Sequence, residues 1–341
     1  MDITKTNWAT PNSHNANTII NLNLDGITDS FNYLYEYSGR DDSKLKAFLT
    51  QNRSVLRKNM PQAFLYHEYM VRNVERSDFK LQDTFDHLFT ELGSESSHSL
   101  EIVPFGERYQ AFTNQVIQSL ITADHLECYG EHLVERNQGI TTPDRDQFQH
   151  TLEEVQKCLS YIESSCRPLY EEINTVVSQI HIMSSPHVNA GSYLSMLGMF
   201  NIRYLKSDVE HWSRLAEHII HEAAHNLLYQ LWYQEPIITS DDGVFYTPFR
   251  KDKRPISGVY HAMFVLARTI YGFNHLLSNP DIELKQSDIS SHYNEANNQL
   301  AFTEKFFQTV EVIEQSGRLT PFGQKVMNDC VSLVRDCQYQ V

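Results

Sequence analysis

Apolar side chains recur along much of this chain at intervals of three and four. Phe64, Leu65, Tyr69 and Val71 form one stripe, and Phe85, Leu88 and Phe89 form another within an expected helix over 81–92. The stretch 108–127 places Phe112, Val116, Ile117, Leu120 and Ile121 at helical spacing. A longer one over 144–164, opened by Pro143, carries Phe148, Leu152, Val155, Leu159 and Ile162. This spacing is the mark of amphipathic helices that bury one face. Residues up to about Gly39 read differently, as polar and turn-rich. The helical pattern begins only near Asp42, through Leu45, Phe48, Leu49, Val55 and Leu56.

The pattern changes near Asn174. Val176, Val177, Ile180, Ile182 and Met183 read as a strand, and Gly191 to Leu205 as a second extended run. Ser207-Asp208-Val209-Glu210 then fits a capping box, which predicts a long helix from there to about Tyr233, stopped by Glu235-Pro236. Further helices are expected from Pro255, over 287–315 and over 321–337, with Gly317 as a C-terminal cap and Pro321 in a first turn. The expected organisation is a helical N-terminal lobe over 1–175 and a second lobe over 176–341, in which a small sheet lies next to the long helix.

Composition narrows the function. Hydrophobic residues make up 41% of the 341, with 18 Phe and 18 Tyr, enough for a sizeable core. The 28 basic and 43 acidic residues leave a formal charge of −15, which argues against binding nucleic acid through a general field. The five cysteines, Cys128, Cys158, Cys166, Cys330 and Cys337, make no C-x-x-C pair and suit reduced thiols. Met1 to Ala16 has no apolar export core, and no segment reads as a membrane span, so a cytoplasmic location is expected.

Candidate chemistry centres on His221-Glu222-Ala223-Ala224-His225. Two histidines four apart stack one turn above the other on one helix face, so both imidazoles can reach one metal. Glu222 is offset by one position, where H-E-x-x-H enzymes keep an acid that acts as general base or outer-sphere partner. His218 shares the face and is expected to be a hydrogen-bonded neighbour. Two histidines do not complete a site. The longer pattern with a glycine and a third histidine fails at Leu228 and Leu231. A thermolysin-like site needs a later glutamate, and the next helix carries none. That helix offers His261 instead, with Arg268 seven residues further on the same face, about 10 Å along the axis.

The stretch 205–270 resembles the HExxH-type, 2-oxoglutarate- and iron-dependent peptide β-hydroxylases of ribosomal peptide natural-product pathways. The resemblance lies in His221 to His225, Tyr246-Thr247-Pro248-Phe249-Arg250, Lys251-Asp252-Lys253-Arg254-Pro255, Gly258-Val259-Tyr260-His261 and Phe264-Val265-Leu266-Ala267-Arg268. The H-E-x-x-H motif with a Pro-x-Arg-x-x-x-Arg-Pro loop and a later histidine is far more specific than the motif alone. Over the N-terminal half the likeness is only general.

The resemblance implies Fe(II), O2 and 2-oxoglutarate, with His261 as the third metal ligand beside His221 and His225. It implies hydroxylation of a side-chain Cβ in a ribosomally made precursor peptide, Glu222 acting outside the metal's ligand set, and no nucleic-acid or membrane partner. 2-Oxoglutarate also needs a fixed cation for its far carboxylate, a task suited to arginine's planar fork; Arg250, Arg254 and Arg268 are the candidates. The fold is expected to be α+β and predominantly α-helical, with a metallopeptidase-like HExxH helix beside a small sheet. The alternatives are a zinc metallopeptidase with Glu222 as general base, and a non-catalytic peptide-binding protein with a vestigial metal site.

Overall fold

A computed structural model describes residues 2–39, 53–93, 100–129, 139–207, 210–248, 253–293 and 300–341, with 53, 121–129 and 290–293 by backbone only. In chain order the helices are α1 (Ser13–Tyr37), α2 (Arg53–Lys58), α3 (Met60–Asn73), α4 (Leu81–Leu92), α5 (Ala111–Tyr129), α6 (Arg145–Ser165), α7 (Arg167–Val176), α8 (Trp212–Gln234), α9 (Ile256–Ser278), α10 (Gln286–Tyr293), α11 (Phe302–Ser316) and α12 (Pro321–Arg335). The strands are β1 (Glu101–Pro104), β2 (Gln179–Met183), β3 (Ala190–Ser192) and β4 (Met199–Arg203). The fold is α+β and predominantly helical, as the periodicities predict.

The chain divides differently from the expected cut at 175. One unit comprises 1–19, 150–175 and 205–341; the other comprises 20–149 and 176–204. Each unit is therefore assembled from separate stretches of chain. Packing partners, rather than position along the sequence, set the division.

The sheet belongs to the second unit, in the order β1-β2-β4-β3. β2 pairs in parallel with β1 and β4, in a register that sets Ile180 opposite Phe200 and Ile182 opposite Ile202, while β3 runs antiparallel to β4. All five residues of β2 are buried, as befits a strand flanked on both edges. β1 carries no apolar alternation, which is why pattern alone passed over it; it is ordered by pairing with β2 across about 78 residues of sequence.

The N-terminal stretch also corrects the pattern reading. It is not a run of turns but the 25-residue helix α1. Its Asn-rich composition masks a stripe of Ala16, Ile20, Leu24, Ile27, Phe31 and Leu34, all buried. Asn12 caps it by accepting from the Asn15 amide at 2.9 Å. Of the helical start expected near Asp42, Leu45, Phe48 and Leu49 lie outside the described residues.

The first unit is built around α9, which is apolar on nearly every side and packs against α8, α11 and α12. A helix of that composition belongs at the centre of a core. The closing helices follow their expected signals. Gly317 ends α11 in the left-handed region at φ 62°, which glycine adopts without a Cβ penalty. Pro321 begins α12, where Thr320 accepts from the Gly323 amide at 3.0 Å. Among the described residues no helix is long and apolar enough to cross a membrane.

Candidate metal centre

The helix that carries the motif starts later than its expected capping box. Its N-cap is His211, whose Nδ1 accepts from the Ser213 amide at 3.3 Å. Glu210 does reach back to a backbone amide, but to that of Lys206 at 3.0 Å rather than that of Ser207, so a separate turn precedes α8. Asp208 and Val209 lie outside the described residues. The helix ends at Gln234, just before Glu235-Pro236, as expected.

The fold brings His221, His225 and His261 together. His225 Nε2 lies 3.2 Å from His221 Nε2, and His225 Nδ1 lies 2.9 Å from His261 Nδ1. The first pair comes from the one-turn spacing on α8. The second arises because α9 crosses α8 at that level. With metal–nitrogen bonds of about 2.1 Å, a 3.2 Å separation subtends about 100° at a shared ion, suitable for neighbouring ligands. The three rings form a chain with His225 in the middle, each of its nitrogens committed to a different neighbour. As the rings stand, no group of three His, Cys, Asp or Glu side chains among the described residues encloses one metal position. For His261 to join the ion held by the two Nε2 atoms, its own ring or that of His225 must turn about its soft χ2 torsion.

Electrostatics favour neutral donors at two of the three histidines. Burial, reinforced by the neighbouring His221 and His261, holds His225 well below the ordinary imidazole range. Burial, with help from His221, pushes His261 down to about 3. Neutral imidazoles keep a lone pair for a metal, so the donor chemistry fits a divalent transition ion.

Aromatic rings wall one side. Trp232 stacks on His261 with centroids 5.3 Å apart, and Tyr229 lies 4.8 Å from His261 and 5.9 Å from His225. Neither was singled out from sequence. Tyr229 is visible there as the residue one turn after His225; the contact of Trp232 with His261 depends on the helix crossing. Glu222 is buried, offset from His221 by about 100° around the helix. Its backbone carbonyl accepts from Asn226 Nδ2 at 2.9 Å.

The arginines part company. Arg254 is buried, and its backbone pairs with Phe245 in an antiparallel bridge, its N–H donating to Phe245 O at 2.8 Å. Its Cβ packs on the first turn of α9 at Gly258, one turn before His261. Arg268, expected to face the site, is turned to an internal partner. Its Nη1 lies 2.8 Å from Glu172 Oε1, and its Nη2 donates to the Trp8 carbonyl at 2.7 Å. Arg250 lies outside the described residues. Of the acidic residues after the motif, Asp241 is engaged in capping α9, accepting from the Ser257 amide at 2.8 Å and from the Ser257 hydroxyl at 2.6 Å.

No protein-family model matches this chain, and no curated protein matches it. The likeness to the peptide β-hydroxylases therefore stands on the quoted residues. To these the structure adds an acidic neighbour that the motif does not include. Glu217, buried one turn before His221, sits 3.3 Å from His221 Nδ1 and 2.9 Å from His218 Nδ1. Burial by itself would raise this carboxyl, but His218 and His221 together hold it well below the usual range.

Proposed function

We propose that this protein is an iron- and 2-oxoglutarate-dependent oxygenase that hydroxylates a side-chain Cβ of a ribosomally made precursor peptide. The observation that carries this reading is the meeting of His221, His225 and His261, from two helices, at nitrogen separations of 3.2 and 2.9 Å. His221 and His225 would hold the metal through Nε2, and His261 would complete the set. When bound, ferrous iron with O2 and 2-oxoglutarate supplies the oxidation: one oxygen atom enters the C–H bond, and the other leaves in succinate as CO2 is released.

The chain's own residues supply position. Arg254 is the favoured anchor for the far carboxylate of 2-oxoglutarate. Its Cβ lies near Gly258, one turn before His261, and a guanidinium can bind a carboxylate with two parallel hydrogen bonds. Arg268 is less suited, because Glu172 already occupies its guanidinium. Trp232 and Tyr229 cover one side of the imidazoles and keep water from it. Glu222 supports the site from outside the ligand set. We place the enzyme in the cytoplasm, where the free thiols of Cys158, Cys166, Cys330 and Cys337 stay reduced.

The zinc-peptidase reading is less favoured, since the helix that supplies the third residue has no glutamate and Glu222 is buried. The test uses protein prepared without oxygen, loaded with Fe(II), and given 2-oxoglutarate and then air. Iron-dependent succinate formation, lost in His225→Ala, is the expected result. His261→Ala should lose most iron; full iron content and normal turnover in that variant would make His261 an outer partner of His225 instead. Peptide cleavage that needs no 2-oxoglutarate would overturn the proposal.

A further inference from the structure

Glu217 lies outside the H-E-x-x-H motif, yet its surroundings are those of a working group. The residue is only 5% exposed, and each carboxylate oxygen meets a different imidazole: Oε1 that of His221 at 3.3 Å and Oε2 that of His218 at 2.9 Å. Lys305 of α11, only 4% exposed, bears its charge on the same carboxylate. Stripping water from a carboxylate costs several kcal/mol unless donors replace it, and here two imidazoles do so.

The donors' geometry has a chemical consequence. An ionised carboxylate only accepts hydrogen bonds, so an imidazole facing it must present N–H. A neutral imidazole has one N–H; if Nδ1 carries it, the lone pair is at Nε2. In His221 that Nε2 is the atom facing His225 Nε2 at 3.2 Å. We propose that Glu217 is the positioning residue of this centre, holding His221 through Nδ1–H in the tautomer and ring orientation that offer Nε2 to the metal. This rests on the reading that His221 and His225 bind a metal. His218 is the second clamp: by occupying Oε2 it keeps Oε1 aimed at His221.

Two measurements test this. The first is Co(II) binding to metal-free protein, read by calorimetry beside thermal unfolding, for wild type and Glu217→Gln. A glutamine has one carbonyl to accept with and cannot serve both imidazoles. Co(II) affinity should fall about 10- to 100-fold, beyond anything a lower melting temperature explains. The second is the tautomer of His221 in metal-free wild type, read by nitrogen NMR with labelled histidine. Nδ1–H is expected, and the glutamine variant should shift the population toward Nε2–H. An Nε2–H tautomer in wild type overturns the proposal, and this stands even if the variant fails to fold. Equal Co(II) affinity, within about twofold, in a folded Glu217→Gln also overturns it, while leaving the metal reading intact. A wild type that takes up no Co(II) removes the metal reading, and this proposal with it.

Discussion

Arginines 254 and 268 show how differently one residue type can be used a few turns apart. Arg268 is 1% exposed and answers Glu172, itself buried. Burial raises the Glu172 carboxyl, while Arg268 and the Asn12 amide oppose that shift. Removing one member of such a pair leaves a buried charge alone, at a cost of about 3–5 kcal/mol. Glu172→Ala should therefore lower unfolding stability by that order in a denaturant titration; a loss below about 1 kcal/mol would show that water reaches Arg268. Arg254→Met is read at the cosubstrate instead: iron content should hold, while 2-oxoglutarate affinity drops about 10- to 100-fold, the worth of a hydrogen bond to a charged group. The sequence made both arginines candidates because each flanks or sits in apolar residues, where a lone charge is costly. It could not say that one of them is answered from within by a carboxylate 96 positions away. Glu217 was more accessible to reading, since it stands four residues before His221 on the same face.

At the scale of elements, the centre depends on how closely α8 and α9 approach, because that crossing sets the distance from His225 to His261. Gly272 marks a close approach. A Cβ there would lie 2.6 Å from Ile220 Cδ1 of α8 and 3.2 Å from Leu169 Cδ2 of α7. Gly272→Ala should force the helices apart or bend Ile220 from its rotamer, costing about 1–3 kcal/mol. It should also weaken metal binding from a distance. Adding Ile220→Val, which removes the clashing methyl, should restore much of both. If Gly272→Ala keeps full stability and metal affinity, the crossing is more yielding than its packing indicates. The helices themselves were legible from their stripes. The crossing was not, because periodicity says which face is buried and not which neighbour buries it.

At the scale of the whole molecule, the metal-centre unit draws on three stretches of chain. The N-terminal stretch is tied in by hydrogen bonds: Asn12 donates its amide to Glu172 Oε2 at 2.8 Å, and Lys325 donates to the Thr6 carbonyl at 2.8 Å. A fragment 176–341 would keep the motif, His261 and Arg268 but lose Glu172, Trp8 and all of α6. It should not fold cooperatively or bind Co(II) as the full chain does, which circular dichroism through a thermal ramp and the same calorimetry would reveal. Independent folding of that fragment would restore the simple two-lobe division.

What the sequence determined unaided is what a single turn of chain encodes. The i, i+3 and i, i+4 stripes define α3, α4, α5 and α6, Pro236 stops the motif helix, Gly317 and Pro321 punctuate the last two helices, and His221 and His225 share a face. The same local logic failed where composition masked it, in the Asn-rich α1, and where a strand exists only through its partner, in β1. The tertiary structure alone decided that His261, 36 residues from His225, closes on it, and that Arg268 is spoken for. Local spacing specifies which side of an element is apolar, because one turn of helix fixes it. Contacts between distant positions follow from how whole faces pack and cross, and that depends on every side chain in the interface together.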